Sequence, residues 1–248
     1  SILPMKSAPK RLVIIPTYNE SSNVVVLIPR LFKYIPDLSV LIVDDGSPDG
    51  TADTCDGMRA QYPNLFVERR SAKLGLGSAY RFGFRWGLDR GFDELIEMDA
   101  DMSHRVRDLA SMIDAKSKDP DAGLVIGSRW TKGGSTINWP KQRELLSRGA
   151  NLYVRLMLGM GVADATAGFR IYSADTLRKI NLAEIKSEGY SFQIEMTRAA
   201  KKAGATIKEV PITFRERESG VSKMSKAIVR EAMTRVTVWG LKRFLHLK

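Results

Sequence analysis

The stretch Leu95-Ile96-Glu97-Met98-Asp99-Ala100-Asp101-Met102-Ser103-His104 decides the fold prediction, because an apolar run ends in two carboxylates one residue apart. Small and polar residues follow this pair, so the pattern predicts a buried strand with an acidic carboxyl end. Mg²⁺ and Mn²⁺ prefer oxygen ligands and are often held by one or two carboxylates plus substrate phosphates. The stretch indicates either a metal site at Asp99 and Asp101 or, taken alone, a solvated loop with two surface acids.

Composition limits the class of protein. The chain of 248 residues is long enough for one large α/β domain. Its 39 Lys and Arg against 28 Asp and Glu give a net charge of +11, which suggests a phosphate-bearing substrate, an anionic membrane surface or a nucleic acid as partner. The single cysteine, Cys55, excludes an intramolecular disulfide and favours a reducing compartment. The longest apolar run, residues 24–28, is far shorter than the ~20 residues that a membrane-spanning helix needs.

Strand and helix patterns alternate on both sides of the acidic stretch. We expect strands at 11–16, 38–43, 65–69, 95–98 and 124–127, and helices at 23–34, 51–62, 77–90 and 106–118. This alternation predicts an α/β fold with a Rossmann-like, mixed but mostly parallel sheet and helices on both faces. In such sheets ligands bind outside the carboxyl ends of the strands, where the polar loops of this chain fall.

The second half is less regular. We expect a long loop at 128–140, a helix at 141–158, an irregular stretch at 164–169, a helix at 190–203 and a strand at 207–214. Apolar residues at near-helical spacing predict an amphipathic C-terminal helix. The chain therefore divides into a flexible tail (1–10), a catalytic domain (11–224) and a basic amphipathic helix (225–248).

The loops after the first two strands indicate a nucleoside site. Asn19, Glu20, Asp44 and Asp45 suit ribose hydroxyls and base N–H groups, and they form a poor cradle for phosphate. A diphosphate would instead be reached through a metal at the acidic pair. The chain lacks both a Gly-Xaa-Gly-Xaa-Xaa-Gly after its first strand and a Walker sequence, which argues against dinucleotide dehydrogenases and P-loop NTPases.

Several segments resemble known glycosyltransferases. The following look like the inverting GT-A enzymes of the large family that includes cellulose synthases: Ile15-Pro16-Thr17-Tyr18-Asn19-Glu20, Val43-Asp44-Asp45-Gly46-Ser47, Lys73-Leu74-Gly75-Leu76-Gly77 and Met98-Asp99-Ala100-Asp101. Later segments narrow the resemblance to the polyprenyl-phosphate (dolichol-phosphate) mannose synthases: Gly127-Ser128-Arg129-Trp130, Asn138-Trp139-Pro140, Ser147-Arg148-Gly149-Ala150-Asn151, Asp164-Ala165-Thr166-Ala167-Gly168-Phe169-Arg170 and Gly189-Tyr190-Ser191-Phe192-Gln193. The match runs from about residue 11 to residue 226.

This resemblance implies transfer of mannose from GDP-mannose to a polyprenyl monophosphate with inversion, using Mg²⁺ or Mn²⁺. It implies a donor-binding set made of Pro16, Tyr18, Asn19, Glu20, Asp44, Asp45, Lys73, Asp99, Ala100, Asp101 and Lys223. It assigns the acceptor phosphate to Arg129, Arg143 and Ser147, the metal to Asp99, Asp101 and Ser103, and catalysis to Asp101, Arg129 and Arg143. One departure concerns Ser103, which stands where some relatives have Gln as a third metal ligand; a water or Ser103 itself would complete the coordination.

We expect no dedicated catalytic base, because a phosphate monoester already carries about −1.5 to −2 charge at neutral pH. The phosphate has to be desolvated and oriented, and arginine side chains can do both through paired hydrogen bonds.

Some residues keep a second interpretation. Asp45 could cap a helix or brace its turn, and Arg148 and Arg155 could be solvated helix faces or lipid-side charges. His104 is expected to be a buried hydrogen-bonding residue, and Arg170 to be structural. Trp130 and Trp139 are either lids over the sugar site or core.

The C-terminal segment from residue 215 carries nine Lys or Arg and three Glu, which suits either an anionic membrane surface or packing on the domain. We therefore expect a cytoplasmic protein peripherally associated with the cytoplasmic face of a membrane, docked on the surface or on a membrane-anchoring subunit. A transferase of another sugar, such as glucose from UDP-glucose, to polyprenyl phosphate or a saccharide hydroxyl is the alternative. Nucleic-acid binding is not expected, since the basic residues lack interleaved stacking aromatics.

Overall fold

The computed structural model describes residues 7–216 and 226–245. The strands in these ranges are β1 (Arg11–Thr17), β2 (Leu38–Asp44), β3 (Leu65–Arg69), β4 (Glu94–Glu97), β5 (Ala122–Ser128), β6 (Ser135–Ile137), β7 (Arg170–Ser173), β8 (Thr206–Pro211) and β9 (Thr213–Arg215). The helices are α1 (Ser21–Tyr34), α2 (Thr51–Met58), α3 (Leu76–Asp89), α4 (Val106–Lys118), α5 (Lys141–Leu158), α6 (Ala174–Lys179), α7 (Gly189–Lys202) and α8 (Lys226–Phe244).

The main sheet has seven strands in the order β3-β2-β1-β4-β7-β5-β8. All neighbouring pairs are parallel except those of β7, which runs antiparallel to both β4 and β5. Because β2 lies on one side of β1 and β4 on the other, the strand order reverses at β1, where α/β sheets open a ligand crevice. The predicted mostly parallel α/β fold is confirmed.

Each face of this sheet carries its own apolar cluster. Successive residues of a strand point to opposite faces, so Leu12 and Ile14 enter one cluster while Val13 and Ile15 enter the other. The first cluster is covered by α3, α5, α6, α7 and α8, and the second by α1, α2 and α4. The buried sheet holds the carboxyl ends of β1, β2, β4 and β5 along one edge.

Two predictions about the second half were wrong. The strand β7 and the short helix α6 after it were not predicted. The first residue of β7 is Arg170, which is fully buried, and a charged residue at this position does not indicate a buried strand. The single strand expected at 207–214 is two strands, β8 and β9, separated at Ile212. The N–H of Ile212 still donates to Ser128 at the end of β5 (3.1 Å), while its carbonyl accepts from the N–H of Ser135 in β6 (3.0 Å), so the chain changes partner strand at this residue. After it, β9 pairs in parallel with β6, which lies inside the predicted long loop.

The helix expected at 51–62 ends at Met58. Pro63 disfavours a helical conformation at Tyr62, and the chain passes through turns there instead.

The C-terminal helix α8 packs on α5 and α7, and its Ala232 and Val236 are buried. A Cβ on Gly240 would stand 2.5 Å from Cε of Met157, so the glycine permits close approach of the two helices. The packing interpretation of α8 is thus confirmed, while its outer side stays exposed. Over the described residues we find no helix with the length and apolarity that crossing a membrane requires.

The boundaries of the tail and of the C-terminal helix are only partly visible. Residues 1–6 and the junction at 224/225 lie outside the described residues. Within the described part of the tail, residues 7–10 are exposed and the backbone N–H of Lys10 donates to Asp93 (2.8 Å).

Candidate active site

The acidic loop after β4 is held in shape by its own side chains. Met102, between Asp101 and Ser103, has a left-handed φ of 65°, a strained conformation for a residue with a side chain. Ser103 donates to Oδ1 of Asp101 through both its hydroxyl (2.5 Å) and its backbone N–H (3.1 Å). Ser103 is buried, so the contact that the structure gives it orients the carboxylate, and its role as third metal ligand stays a prediction.

His104 closes this loop. Its Nδ1 accepts a hydrogen bond from the backbone N–H of Asp99 (3.1 Å), which leaves the ring proton on Nε2. The ring stacks on Phe169 with centroids 4.5 Å apart and meets Phe214 edge-on at 5.5 Å. Burial lowers the pKa of His104 to about 4, so the ring is neutral at physiological pH. The prediction of a buried hydrogen-bonding histidine is confirmed.

A buried polar group that the sequence analysis did not single out lies under the acidic pair. Glu97 accepts a hydrogen bond from Nε2 of Gln193 (2.7 Å), and burial raises the pKa of Glu97 to about 8. Burial also raises the pKa of Tyr80, with Asp99 and Glu97 as nearby negative charges. The signal available in the sequence was an ionisable residue at the end of an otherwise apolar strand.

The first loop and the loop after β2 form one hydrogen-bonded unit. Oδ1 of Asp44 accepts from the hydroxyls of Thr17 (2.7 Å) and Ser47 (2.6 Å), and the Ser47 hydroxyl oxygen accepts from the N–H of Asn19 (2.9 Å). Asn19 has a left-handed φ of 58°. Asp44 is almost fully buried, so it shapes the expected nucleoside loop from below.

Asp45 forms a two-point ion pair with Arg70. The Nε and Nη2 atoms of Arg70 lie 2.7 and 2.8 Å from the two carboxylate oxygens, and both side chains are nearly buried. Asp45 therefore makes a structural ion pair, its donor-binding role stays a prediction, and Arg70 was not among the predicted site residues. Nearby, Nζ of Lys73 lies 4.3 Å from the ring centroid of Tyr18, which brings two predicted donor residues together.

Arg129, at the end of β5, is bound to a buried carboxylate. Its backbone N–H, Nε and Nη2 donate to Asp164 at 2.8–2.9 Å, and Nη2 also donates to the Thr166 hydroxyl (3.0 Å). Burial opposes both charges, but the pairing prevails, so the pKa of Asp164 is lowered and that of Arg129 is raised. Among the described residues Nη1 of Arg129 makes no hydrogen bond, which leaves one donor edge for a ligand.

A small open pocket adjoins this arginine, with about 30 Å³ of internal volume inside a surface depression of about 410 Å³ that includes bulk solvent. It lies between α5 and α8 and is mostly apolar; its lining consists of Arg129, Trp139, Leu146, Ser147, Ala150, Thr166, Tyr190, Val229, Ala232 and Met233. The pocket thus combines two predicted acceptor residues, Arg129 and Ser147, with a mostly apolar lining.

Two further arginines, Arg143 and Arg148, are not part of the pocket lining, and each stacks on a tryptophan. Arg143 stacks over Trp139 (4.2 Å) and Arg148 over Trp130 (4.3 Å), while the two rings meet edge to face at 6.0 Å. Trp139 lines the pocket, whereas Trp130 does not, and the choice between a lid over the sugar site and a core residue stays open for both. Arg148 is about half exposed and Arg155 is exposed, in keeping with solvated or lipid-side charges.

The structure therefore brings most predicted residues to one edge of the sheet. Lys223 lies outside the described residues. Within the described ranges no group of three or more His, Cys, Asp or Glu side chains could hold a metal ion. A pair of carboxylates that shares its metal with substrate phosphates fits this finding.

The sequence matches known proteins over most of its length. Residues 12–180 match the family model described as glycosyl transferase family 2. An undecaprenyl-phosphate mannosyltransferase from Micrococcus luteus is 51% identical over 230 residues, which cover 93% of each chain. A polyprenol monophosphomannose synthase from Mycolicibacterium smegmatis is 48% identical over 234 residues, covering 94% of this chain and 88% of that protein.

Solved structures show the same fold at low sequence identity. Glucosyl-3-phosphoglycerate synthase from Mycobacterium tuberculosis superposes with a TM-score of 0.69 at 18% identity, covering 94% of this chain and 80% of that one. A mannosyltransferase from Pyrobaculum calidifontis, solved with GDP-mannose and Mn²⁺, gives a TM-score of 0.60 at 16% identity, covering 100% of this chain and 69% of that one. Because the family model spans more than half of the chain and two relatives share about half of their aligned residues with it, the chain belongs to glycosyl transferase family 2.

Proposed function

We propose that this glycosyltransferase moves mannose from GDP-mannose to a polyprenyl monophosphate, with inversion, to give polyprenyl-phosphate β-mannose. The names of the two relatives support the acceptor class, and the Pyrobaculum neighbour with GDP-mannose supports the donor. The observation that carries the proposal is the apolar pocket between α5 and α8, which has Arg129 and Ser147 in its lining. It suits a ligand with a phosphate at one end and a hydrocarbon chain at the other.

The donor side uses the loops after β1, β2 and β4. The nucleoside would lie on the first loop and beside Asp44, Asp45 and Lys73. Mg²⁺ or Mn²⁺ would be held by Asp99 and Asp101 with donor phosphate oxygens, and the ion would neutralise charge on the departing diphosphate. Ser103 and His104 hold this loop in one shape through their bonds to the two acids.

The acceptor phosphate would be bound by Arg129, Arg143 and Ser147. A phosphate monoester is already an anion, so the protein has to orient and desolvate it, not deprotonate it. Asp164 fits this scheme, since its carboxylate is occupied by Arg129 and has a lowered pKa. Inversion follows when the phosphate oxygen attacks the anomeric carbon on the side opposite the leaving diphosphate.

The proposed acceptor is a membrane lipid, so we propose that the enzyme binds the cytoplasmic face of a membrane. Large apolar side chains are exposed on both helices that line the pocket: Leu145, Leu152 and Leu156 on α5, and Val238, Leu241 and Phe244 on α8, with Leu245 directly after it. Basic residues flank them, each contributing about 1 kcal/mol near anionic lipid. Binding of this surface to the bilayer would place the opening of the pocket at the membrane.

Vesicle flotation tests the membrane surface. Leu156→Glu should reduce binding to anionic vesicles, whereas Tyr34→Glu, on a distant helix, should not; the two side chains are 64% and 65% exposed. Equal binding of both variants and the wild type would move the membrane contact elsewhere, for example to an anchoring subunit.

The reaction is tested by offering GDP-mannose or UDP-glucose with Mn²⁺ and polyprenyl monophosphate, and measuring acid-labile, lipid-extractable product. We expect β-mannosyl product from GDP-mannose, and none with polyprenol that lacks the phosphate. Arg143→Gln should raise the acceptor KM, whereas Arg148→Gln, an exposed arginine of the same helix, should change it little. Preferred transfer of glucose, or transfer to a saccharide hydroxyl, would replace the proposal with the alternative.

A further inference from the structure

Arg129 in the pocket lining, and the arginines stacked on Trp139 and Trp130, are each paired with a carboxylate of the same chain. Arg129 pairs with Asp164 (2.8 Å), Arg148 pairs with Glu144 (2.8 Å), and Nη1 of Arg143 is bound to Glu216. A paired arginine offers little net charge to an incoming dianion. Among these three described arginines, the proposed acceptor phosphate can therefore gain a full positive partner only where one of the carboxylates gives way.

The first of these carboxylates cannot move. Asp164 is fully buried and accepts three hydrogen bonds from Arg129. The backbone N–H groups of Ala163 and Asp164 are also fixed, because both donate to Glu209 at 2.9–3.0 Å. Releasing Asp164 would leave an uncompensated buried charge.

Glu216 is placed differently. Its side chain is 23% exposed, so it can rotate into water. Its backbone is held, because its N–H donates to the carbonyl of Ile137 (3.0 Å), and the N–H of Arg215 before it donates to the carbonyl of Ser103 (3.2 Å). A rotation of the Glu216 side chain therefore frees Arg143 while the strand stays attached to the acidic loop.

The geometry of Arg143 suits a phosphate, which can accept more of its hydrogen bonds than Glu216 does. Its guanidinium lies over the Trp139 ring, which fixes its plane. Its Nε is buried and has no hydrogen-bond partner among the described residues. An unsatisfied buried donor is costly, and a phosphate can take two donors of one guanidinium at once.

Resting on the proposed function, we infer that Glu216 is a competing anion: it occupies Arg143 in the free enzyme and is displaced by the acceptor phosphate. The carboxylate keeps Arg143 paired and correctly placed in the absence of substrate. The cost is a weaker affinity for the acceptor, because each binding event must break the ion pair. Glu216 thus sets the acceptor affinity without contacting the acceptor.

The test is the binding of geranyl monophosphate, a short acceptor analogue, measured by calorimetry on the full chain. Glu216→Gln should tighten this binding roughly threefold to tenfold, the size expected for a partly exposed charge pair. Glu144→Gln removes the same charge from the neighbouring pair and should leave the affinity nearly unchanged. Glu216→Asp, which keeps the charge, should bind like the wild type.

A double-mutant cycle locates the effect. In an Arg143→Gln background, Glu216→Gln should bring no further gain, because the competition acts through Arg143. In steady state, Glu216→Gln should lower the acceptor KM without raising kcat. Thermal melting checks that each variant is folded.

The outcomes separate the two proposals. If the wild type binds geranyl phosphate and Glu216→Gln leaves this affinity unchanged or weakens it, the role of Glu216 is overturned, while the acceptor site stands. A gain of equal size in the Arg143→Gln background also overturns it. Absence of geranyl phosphate binding by the wild type and by every variant removes the acceptor site itself, and the proposed function with it.

Discussion

Replacing Asp164 with Asn tests whether this carboxylate holds Arg129 or acts as a base. The change removes the charge and keeps the shape. Asp164 is fully buried and accepts bonds from the N–H, Nε and Nη2 of Arg129. Breaking a buried pair by neutralising one partner costs about 3–5 kcal/mol. For a chain of this size each kcal/mol corresponds to roughly 2–4 °C, so we expect the melting temperature to fall by roughly 6–20 °C.

Activity should fall together with acceptor affinity. The freed Arg129 no longer has a fixed orientation, so Asp164→Asn should raise the acceptor KM and lower kcat/KM, while the affinity for the donor nucleotide stays close to that of the wild type. Differential scanning calorimetry gives the stability, and steady-state kinetics with varied acceptor gives the KM.

Glu195→Gln is the matched control. It makes the same change of charge, but within the described part of the chain Glu195 accepts one weak hydrogen bond, from the N–H of Ser187 (3.2 Å), and it is only half-buried. We expect a loss below about 1 kcal/mol and near-normal kinetics. If Asp164→Asn or Glu195→Gln abolished turnover while stability and both substrate affinities stayed intact, a catalytic base would be required and the reasoning would fail.

Two further predictions concern stability. Burial raises the pKa of Glu97 from the ordinary 4.5 to about 8, so the contribution of this residue to stability is most favourable below pH 4.5 and declines as the pH rises to 8. Glu97→Gln should remove this loss, worth up to roughly 5 kcal/mol, and parallel urea-denaturation profiles of the two proteins from pH 4 to 9 would contradict the assignment. A Cβ on Gly83 would stand 2.5 Å from Cγ2 of Ile14, so Gly83→Ala should destabilise by about 1–2 kcal/mol, whereas Gly57→Ala, with open space around it, should stabilise by roughly 0.5–1 kcal/mol. Equal effects of the two glycine substitutions in denaturant titrations would show that packing on β1 is not limiting.

The sequence was informative where local pattern and structure coincide. Buried strands such as β1 and β2 are continuous apolar runs, and the loops after them carry their polar residues at the expected edge. The acidic loop was likewise readable, because Asp99, Asp101 and their supports Ser103 and His104 lie within six residues of one another.

Ion pairs between residues far apart in the sequence could not be predicted in the same way. Arg70 reaches back 25 residues to Asp45, Asp164 reaches 35 residues to Arg129, and Glu216 reaches 73 residues to Arg143. No period or spacing in one sequence encodes such partners. The assignment of arginines to a phosphate could therefore be predicted, but the carboxylates that already hold them could not.

The strand that the sequence analysis missed is what joins the two halves of the site. Because β7 runs antiparallel, the loop that precedes it, residues 164–169, lies at the edge where the parallel strands end. One end of that loop is Asp164, which holds Arg129; the other is Phe169, on which His104 stacks while it holds Asp99.

The loop is fixed in turn by Arg170, which is fully buried and donates to the carbonyls of Ala165 and Ala167 (2.8 and 2.7 Å). Arg170 is therefore structural, as expected, and it holds the loop whose two ends contact Arg129 and His104. A single antiparallel strand can do this because its amino end meets the carboxyl ends of its neighbours, an arrangement that a purely parallel sheet lacks.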